Sequence, residues 1–190
     1  MTYTQDWINN QDIIPHWIEH LVTLKDKELN MLEVGSFEGR SAVWFLENIL
    51  LHDKSRITCI DTFKGDEQQV GMGVSADGIL GRFIENTEPF LHKVKRYQGF
   101  SKDILKKIDD SFDLIYIDGS HYQTDVLEDM VLAFDLLKKD GIMICDDYSM
   151  TFFDGKINYI PRIAIDAFIS VYGPHISVLH KGWQCIFKKL

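Results

Sequence analysis

Asn30-Met31-Leu32-Glu33-Val34-Gly35-Ser36-Phe37-Glu38-Gly39-Arg40-Ser41 is the stretch whose reading decides the fold. An apolar run interrupted only by Glu33 ends at Gly35. Gly39 follows, and Ala42, Val43, Phe45, Leu46, Ile49 and Leu50 then recur at helical spacing. That order predicts a strand, a tight glycine turn and a helix N-terminus. Glycine permits positive φ or close passage of the backbone past a ligand, and the first turn of a helix offers unpaired N–H groups. In a doubly wound sheet this first crossover is where nucleotide-like cofactors sit. The spacing Gly35-x-x-x-Gly39 is not G-x-G-x-x-G, and no Gly-Lys-Ser/Thr follows, so neither a dinucleotide fingerprint nor a phosphate-binding P-loop is present.

Working outward, more strands close on acids or glycines. Ile57-Thr58-Cys59-Ile60 ends at Asp61, and Val94 to Gln98 is a short strand broken by Gly99-Phe100-Ser101. Phe112 to Ile117 is almost wholly apolar, as a parallel strand covered on both faces must be, and ends at Asp118. Helical stripes are expected over Gln11–Leu24, Arg82–Leu91, Asp103–Ile108 and Val126–Leu137, the last stopped by Lys138-Lys139-Asp140-Gly141. Ile142 to Cys145 is the next strand, closed by Asp146-Asp147-Tyr148. A helix begins at Pro161, and Ile176–Leu179 with Trp183–Phe187 make a terminal antiparallel hairpin. The expected class is α/β: a doubly wound, mostly parallel seven-stranded sheet ending in that hairpin. Residues 62–81, rich in glycine, suit either a mobile loop near the site or a plain surface insertion.

The 190 residues are read as one domain, 1–190, with 1–27 a helical N-terminal extension. Trp7 and Trp17 are expected to pack rather than to touch ligand. A formal charge of −9 and the absence of a basic run argue against nucleic acid; Lys93, Lys95 and Arg96 read as a solvated edge. No stretch approaches a membrane span and the first thirty residues lack a signal-peptide pattern. Cys59, Cys145 and Cys185, each in an apolar run, are expected to be buried reduced thiols, which makes the cytoplasm the expected compartment.

Asp61, Asp118, Asp146 and Asp147 all fall at carboxyl ends of strands, where α/β sheets bind ligands. Asp61, about twenty residues past the glycine turn, is placed to accept ribose hydroxyls, although a turn or cap role accounts for it too. Asp118, Asp146 and Asp147 close two strands separated by one helix. If the strands are adjacent, three carboxylates meet there, which is costly unless a proton or cation intervenes. Oxygen ligands suit Mg²⁺, with Mn²⁺ or Ca²⁺ as substitutes. No Cys/His cluster and no Ser-His-Asp order stands out in the sequence.

With these residues in place, the chain resembles the class I S-adenosylmethionine-dependent methyltransferases over residues 28–190. Glu33 to Ser41 resembles the family's first motif, Asp61 its ribose-binding acid, and Asp118-Gly119-Ser120-His121-Tyr122 with Asp146-Asp147-Tyr148 a narrower set. That set holds small bacterial methyltransferases of unassigned substrate and metal-dependent O-methyltransferases. The resemblance implies that Glu33, Gly35 and Gly39 shape the methionine pocket, with Ser41 near the cofactor carboxylate. Asp61 would hold the ribose, Phe63 would lie beside the adenosine, and Gly99 and Ser101 would contact the adenine edge. It implies Asp118, Asp146 and Asp147 as ligands of Mg²⁺, and His121 either as a base or as a structural residue. Asp147 leans away from the catechol and caffeoyl thioester members, where the last ligand is typically asparagine.

The expected chemistry is in-line transfer of a methyl group from S-adenosyl-L-methionine to an oxygen of a small molecule, such as a sugar or natural product. Asp118 would help to activate the hydroxyl, and His121 would take its proton. The competing readings are a nucleotide-dependent oxidoreductase and a non-catalytic cofactor-binding protein. A homodimer is also expected, on the ground that Tyr3, Trp7 and Trp17 pack outside the core.

Overall fold

The computed structural model describes residues 1–9, 11–65, 77–150 and 159–190. Of the loop expected over 62–81, residues 66–76 lie outside the described residues and the following helix already begins at Ile79; the link expected over 152–158 also lies outside them. The elements in chain order are α1 (Ile14–Leu21), β1 (Asn30–Val34), α2 (Arg40–Asn48), β2 (Arg56–Asp61), α3 (Ile79–Thr87), β3 (Val94–Gln98) and α4 (Ser101–Leu105). They continue with β4 (Phe112–Ile117), α5 (Gln123–Leu136), β5 (Leu137–Cys145), α6 (Pro161–Tyr172), β6 (Ile176–Lys181) and β7 (Cys185–Lys189). The strands form one seven-stranded sheet in the order β3-β2-β1-β4-β5-β7-β6. β1 to β5 pair in parallel, while β7 runs antiparallel to both β5 and β6.

Side chains alternate across each strand, so the sheet separates two cores. Met31, Leu114, Tyr116, Ile142 and Ile144 face α1, α2 and α3, where Trp17, Phe45 and Phe83 are buried. Leu32, Val34, Ile115, Ile117, Met143 and Phe187 face α5 and α6, against Met130, Phe134 and Phe168. Adjacent residues of one strand thus serve opposite cores, which is why these strands read as unbroken apolar runs.

Three expectations change. The fifth strand does not wait for Gly141: Leu137 ends α5 in an extended conformation and already pairs with Phe112. An irregularity then falls between the Phe112 and Leu114 pairings, and Lys138 reaches Asp113 at 2.8 Å. The three charged residues are absorbed in this irregular start, which terminal charge chemistry alone reads as a helix stop. Lys93 is not part of a solvated edge. Its ammonium is buried and donates to Leu50 O at 2.7 Å and His52 O at 3.0 Å, satisfying carbonyls just beyond α2. Trp17 does not lie outside the core: it is fully buried, stacked on Phe45 at 4.5 Å with its Nε1–H donating to Gln184 Oε1 at 2.7 Å. A buried ring of this size removes roughly 150–250 Å² from water, on the order of 4–6 kcal/mol. Trp7 covers Phe37 at 5.2 Å. Trp17 is therefore engaged within the core, whereas Trp7 stays 42% exposed.

Candidate functional site

The loops at the carboxyl ends of the parallel strands are stitched side by side through the backbone. Gly35 N–H donates to Ile60 O (2.8 Å), Asp118 N–H to Val34 O (2.8 Å), Gly99 N–H to Asp61 O (2.9 Å) and Asp146 N–H to Ile117 O (2.9 Å). The glycine turn and the Asp118 turn are in direct contact. A Cβ on Gly35 would stand 1.9 Å from the Asp118 carbonyl oxygen, and Gly35 has φ +88°. Tertiary structure thus brings the two stretches singled out in the sequence together, residue against residue.

Phe37 (φ 44°), Phe63 (φ 55°) and Asp147 (φ 57°) all adopt left-handed backbone in these loops. Such conformations are uncommon for residues other than glycine and concentrate at functional sites. Asp61 holds two of them: its carboxylate accepts the Phe37 N–H at 2.8 Å and the Phe63 N–H at 2.6 Å. The turn-holding role weighed for Asp61 is therefore visible at the end of β2. The Phe63 ring is buried against Phe83 at 5.0 Å. Gly39 starts α2 at φ 81°.

Glu33 is fully buried. Its Oε1 accepts the Ser41 hydroxyl at 2.7 Å, while Oε2 and the nearby Ser36 Oγ have no hydrogen-bond partner. Ser41 thus serves Glu33 in this arrangement. Burial pushes the Glu33 carboxyl up to about 7, with the hydrogen bond from Ser41 pulling the other way. The folded protein then holds a proton there that the unfolded chain releases near its ordinary value of 4.5. The contribution to stability is full below that value and is lost as pH rises towards about 7, by up to ~1.4 kcal/mol per pH unit. Unfolding by urea at pH 5 and pH 8 is expected to show this loss in the ligand-free protein, and a smaller one in Glu33→Gln. An equal pH dependence in the variant would remove Glu33 as its source.

β4 and β5 are neighbours, so Asp118, Asp146 and Asp147 do gather. Tyr116, on the opposite sheet face from Ile117, sets their arrangement. Its hydroxyl lies 2.9 Å from Asp118 Oδ2 and also bonds Asp146 Oδ2. One phenol proton cannot serve two ionised carboxylates at once. Burial raises the Asp118 pKa well above the usual carboxylate range, reinforced by the charges of Asp146 and Asp147. Burial is also the main cause that lifts Asp146 to about 7. Asp146 further accepts Gln184 Nε2–H at 2.9 Å and, through Oδ1, the Asp147 N–H at 2.7 Å. Its carboxylate is thereby held by partners from Tyr116, Gln184 and the Asp147 backbone. The group that can present one donor atom each within 4.8 Å is Asp118, His121 and Asp147. His121 Nε2 is 2.8 Å from Asp147 Oδ2.

A small pocket at this cluster is lined by Asp118, Gly119, Ser120, His121, Asp147 and Pro161, among others. A larger concavity of about 640 Å³ lies at the opposite end of the sheet, among Lys54, Arg56, Lys93 and Lys95, away from the gathered acids. Gly99 (φ 155°) follows β3, and Ser101 opens α4. The Ser101 hydroxyl bonds Asp129, an acid buried on α5 and raised by that burial to about 7.

Sequence reasoning missed Tyr116, Gln184 and Asp129 as members of this region. Tyr116 and Gln184 sit inside apolar strand patterns. Asp129 alone left a signal, an acid inside the inward stripe beside Met130. Also missed was the N-terminal arm. Thr4 donates to Glu38 through N–H (2.6 Å) and Oγ1 (2.7 Å), Arg82 pairs with the same buried carboxylate, and Thr2 N–H donates to Asn86 Oδ1 at 2.8 Å. The arm therefore lies against the glycine loop.

A family model described as a methyltransferase domain matches residues 32–148. An uncharacterized protein of Acanthamoeba polyphaga mimivirus is 27% identical over 138 residues, covering 70% of this chain and 58% of its own length. The O-methyltransferase hkm8 of Aspergillus hancockii is 27% identical over 124 residues, covering 65% of this chain and 44% of its own. The chain thus spans about half the length of the curated relatives it matches. Among solved structures, an O-methyltransferase from Bacillus cereus in complex with SAH superposes with TM-score 0.67 at 19% identity, over 96% of this chain and 84% of that one. The MycE methyltransferase of the mycinamycin pathway, solved with Mg and SAH, gives TM-score 0.65 at 15% identity, over 93% of this chain and 48% of that one. These likenesses share the fold described above. No helix among the described residues is long and apolar enough to cross a membrane.

Proposed function

The chain belongs to the methyltransferase-domain family, and we propose that it transfers a methyl group from S-adenosylmethionine to a hydroxyl oxygen of a small substrate such as a sugar or natural product, assisted by a divalent cation. The observation that carries this reading is the contact between the Gly35 turn and the Asp118 turn. A cofactor on the first and an oxygen nucleophile over the second would be neighbours, as in-line transfer requires. The fit to the donor rests on Gly35 and Gly39, on Asp61 at the end of β2, and on the orphaned Glu33 Oε2 and Ser36 Oγ beneath the loop. Relatives solved with SAH or SAM support the same choice of cofactor.

The fit to a cation rests on Asp118 and Asp147, whose mutual charge contributes to the raised Asp118 pKa. Two carboxylates that leave the remaining coordination positions to water and substrate oxygens would suit Mg²⁺, the ion named in the MycE complexes. When bound, such an ion lowers the pKa of a hydroxyl. Asp146 stands behind as the residue that fixes Asp147, by accepting its N–H. His121 takes the hydroxyl proton, its ring oriented by Asp147. Three free, buried cysteines suit the reducing cytoplasm.

Calorimetry with S-adenosylmethionine and with NAD tests the cofactor choice: binding of the first and not the second is expected, and the reverse would favour an oxidoreductase. Asp61→Ala is expected to weaken S-adenosylmethionine by at least ~1.5 kcal/mol, as for a lost hydrogen bond to a charged group. Wild-type affinity in that variant would take Asp61 out of the binding site.

A further inference from the structure

We propose that His16, His20 and His180 form a second metal site, built for a borderline transition ion such as Zn²⁺ and separate from the carboxylate cluster. His16 and His20 stand one helical turn apart on α1 and so share a face. His180 comes from β6, far away in sequence, and its ring stacks on His16 at 3.7 Å. Each residue can offer one ring nitrogen such that the three atoms lie within 4.8 Å of one another. Tetrahedral Zn²⁺ with nitrogen ligands near 2.0–2.1 Å needs separations of roughly 3.4 Å, so the stacked His16 and His180 rings would rotate about their side-chain bonds to aim both nitrogens at one ion.

Three features point to a ligand rather than to chance crowding. First, His180 Nε2 is buried without a hydrogen-bond partner, and His16 Nδ1, also buried without one, has only the Glu19 carboxylate in long contact at 3.5 Å. Second, β6 carries an irregularity at this place: Val178 pairs with Phe187 and His180 with Ile186, leaving Leu179 as the extra residue. Bulges of this kind re-aim a side chain. Third, Gly182 leaves room for the ring, since a Cβ there would stand 2.5 Å from His180 Nε2. Glu19, with a carboxylate oxygen 3.5 Å from His16 Nδ1, places an anionic group at the rim. An all-imidazole set suits Zn²⁺, Cu²⁺ or Ni²⁺ and not Mg²⁺. An ion here would fasten α1 to the terminal hairpin next to the Trp17–Gln184 hydrogen bond.

The test is a titration of the untagged, chelator-stripped full chain with Co²⁺ in excess Mg²⁺, read by the visible d–d band of tetrahedral cobalt. A saturable band displaced by Zn²⁺ is expected. His16→Ala and His180→Gln should abolish it and weaken Zn²⁺ by more than the ~10- to 100-fold cost of losing an outer-shell partner. Circular dichroism checks that the variants fold, and His20→Gln, on the half-exposed helix face, serves if either does not. No saturable band would overturn the proposal. So would a band that survives all three histidine substitutions, or one lost instead in Asp118→Asn.

Discussion

Gly35→Ala is expected to destabilise the protein by roughly 3–6 kcal/mol, combining a left-handed backbone forced on a Cβ with overpacking against a neighbouring main chain. The new Cβ would stand 1.9 Å from the Asp118 carbonyl oxygen and 2.6 Å from Gly119 Cα, and neither is the movable end of a side chain. Relief would require the β1 and β4 loops to part, breaking the Asp118 N–H to Val34 O bond. Because domains of this kind are stable by only about 5–15 kcal/mol, much of the population would unfold, and what remained folded would have a displaced Asp118. Gly81→Ala is the matched control: it lies inside α3, nothing stands within 4 Å of its new Cβ, and a small gain from helix propensity is expected. Urea denaturation of both variants decides the matter. A Gly35→Ala midpoint equal to wild type would show that the two turns do not touch in solution.

Removal of divalent cations is expected to lower methyl transfer by at least ~100-fold, about 2.7 kcal/mol of barrier, while changing S-adenosylmethionine affinity by less than ~threefold. The asymmetry follows from placement. The cation would sit on Asp118 and Asp147, whereas the cofactor loop is built from Gly35, Gly39, Glu33 and Asp61. Asp147→Asn should reproduce the loss, and His121→Ala should lower turnover while leaving cation binding intact. Cation binding should also release protons, because burial and like charge raise the Asp118 pKa and a cation favours the ionised form. Calorimetry of Mg²⁺ in buffers of different ionisation enthalpy measures that release independently of any substrate. Unimpaired turnover in the chelated enzyme would sink the metal-assisted mechanism and leave the acids as positioning groups.

The sequence by itself determined the α/β class, the central strands and the approximate site. Strands buried on both faces must be continuously apolar, so Met31–Val34 and Phe112–Ile117 announce themselves, and their ends fall on Gly35 and Asp118. A turn that needs φ +88° against a neighbouring chain leaves a glycine as its trace. What only the tertiary structure decided is which way each acid faces and what holds it. Asp146 and Asp147 are adjacent in sequence, yet Tyr116 and Gln184 draw the first inward, while the left-handed backbone of the second turns it towards His121. Those partners come from other strands, and no local period or spacing encodes a cross-strand hydrogen bond. For the same reason Lys93 reads as surface although it caps the chain after α2, and Trp17 reads as a peripheral aromatic although it fills the core. His16, His20 and His180 show the same limit: a helix and a distant strand meet only once the sheet is assembled, and a bulge then aims the third ring at the other two.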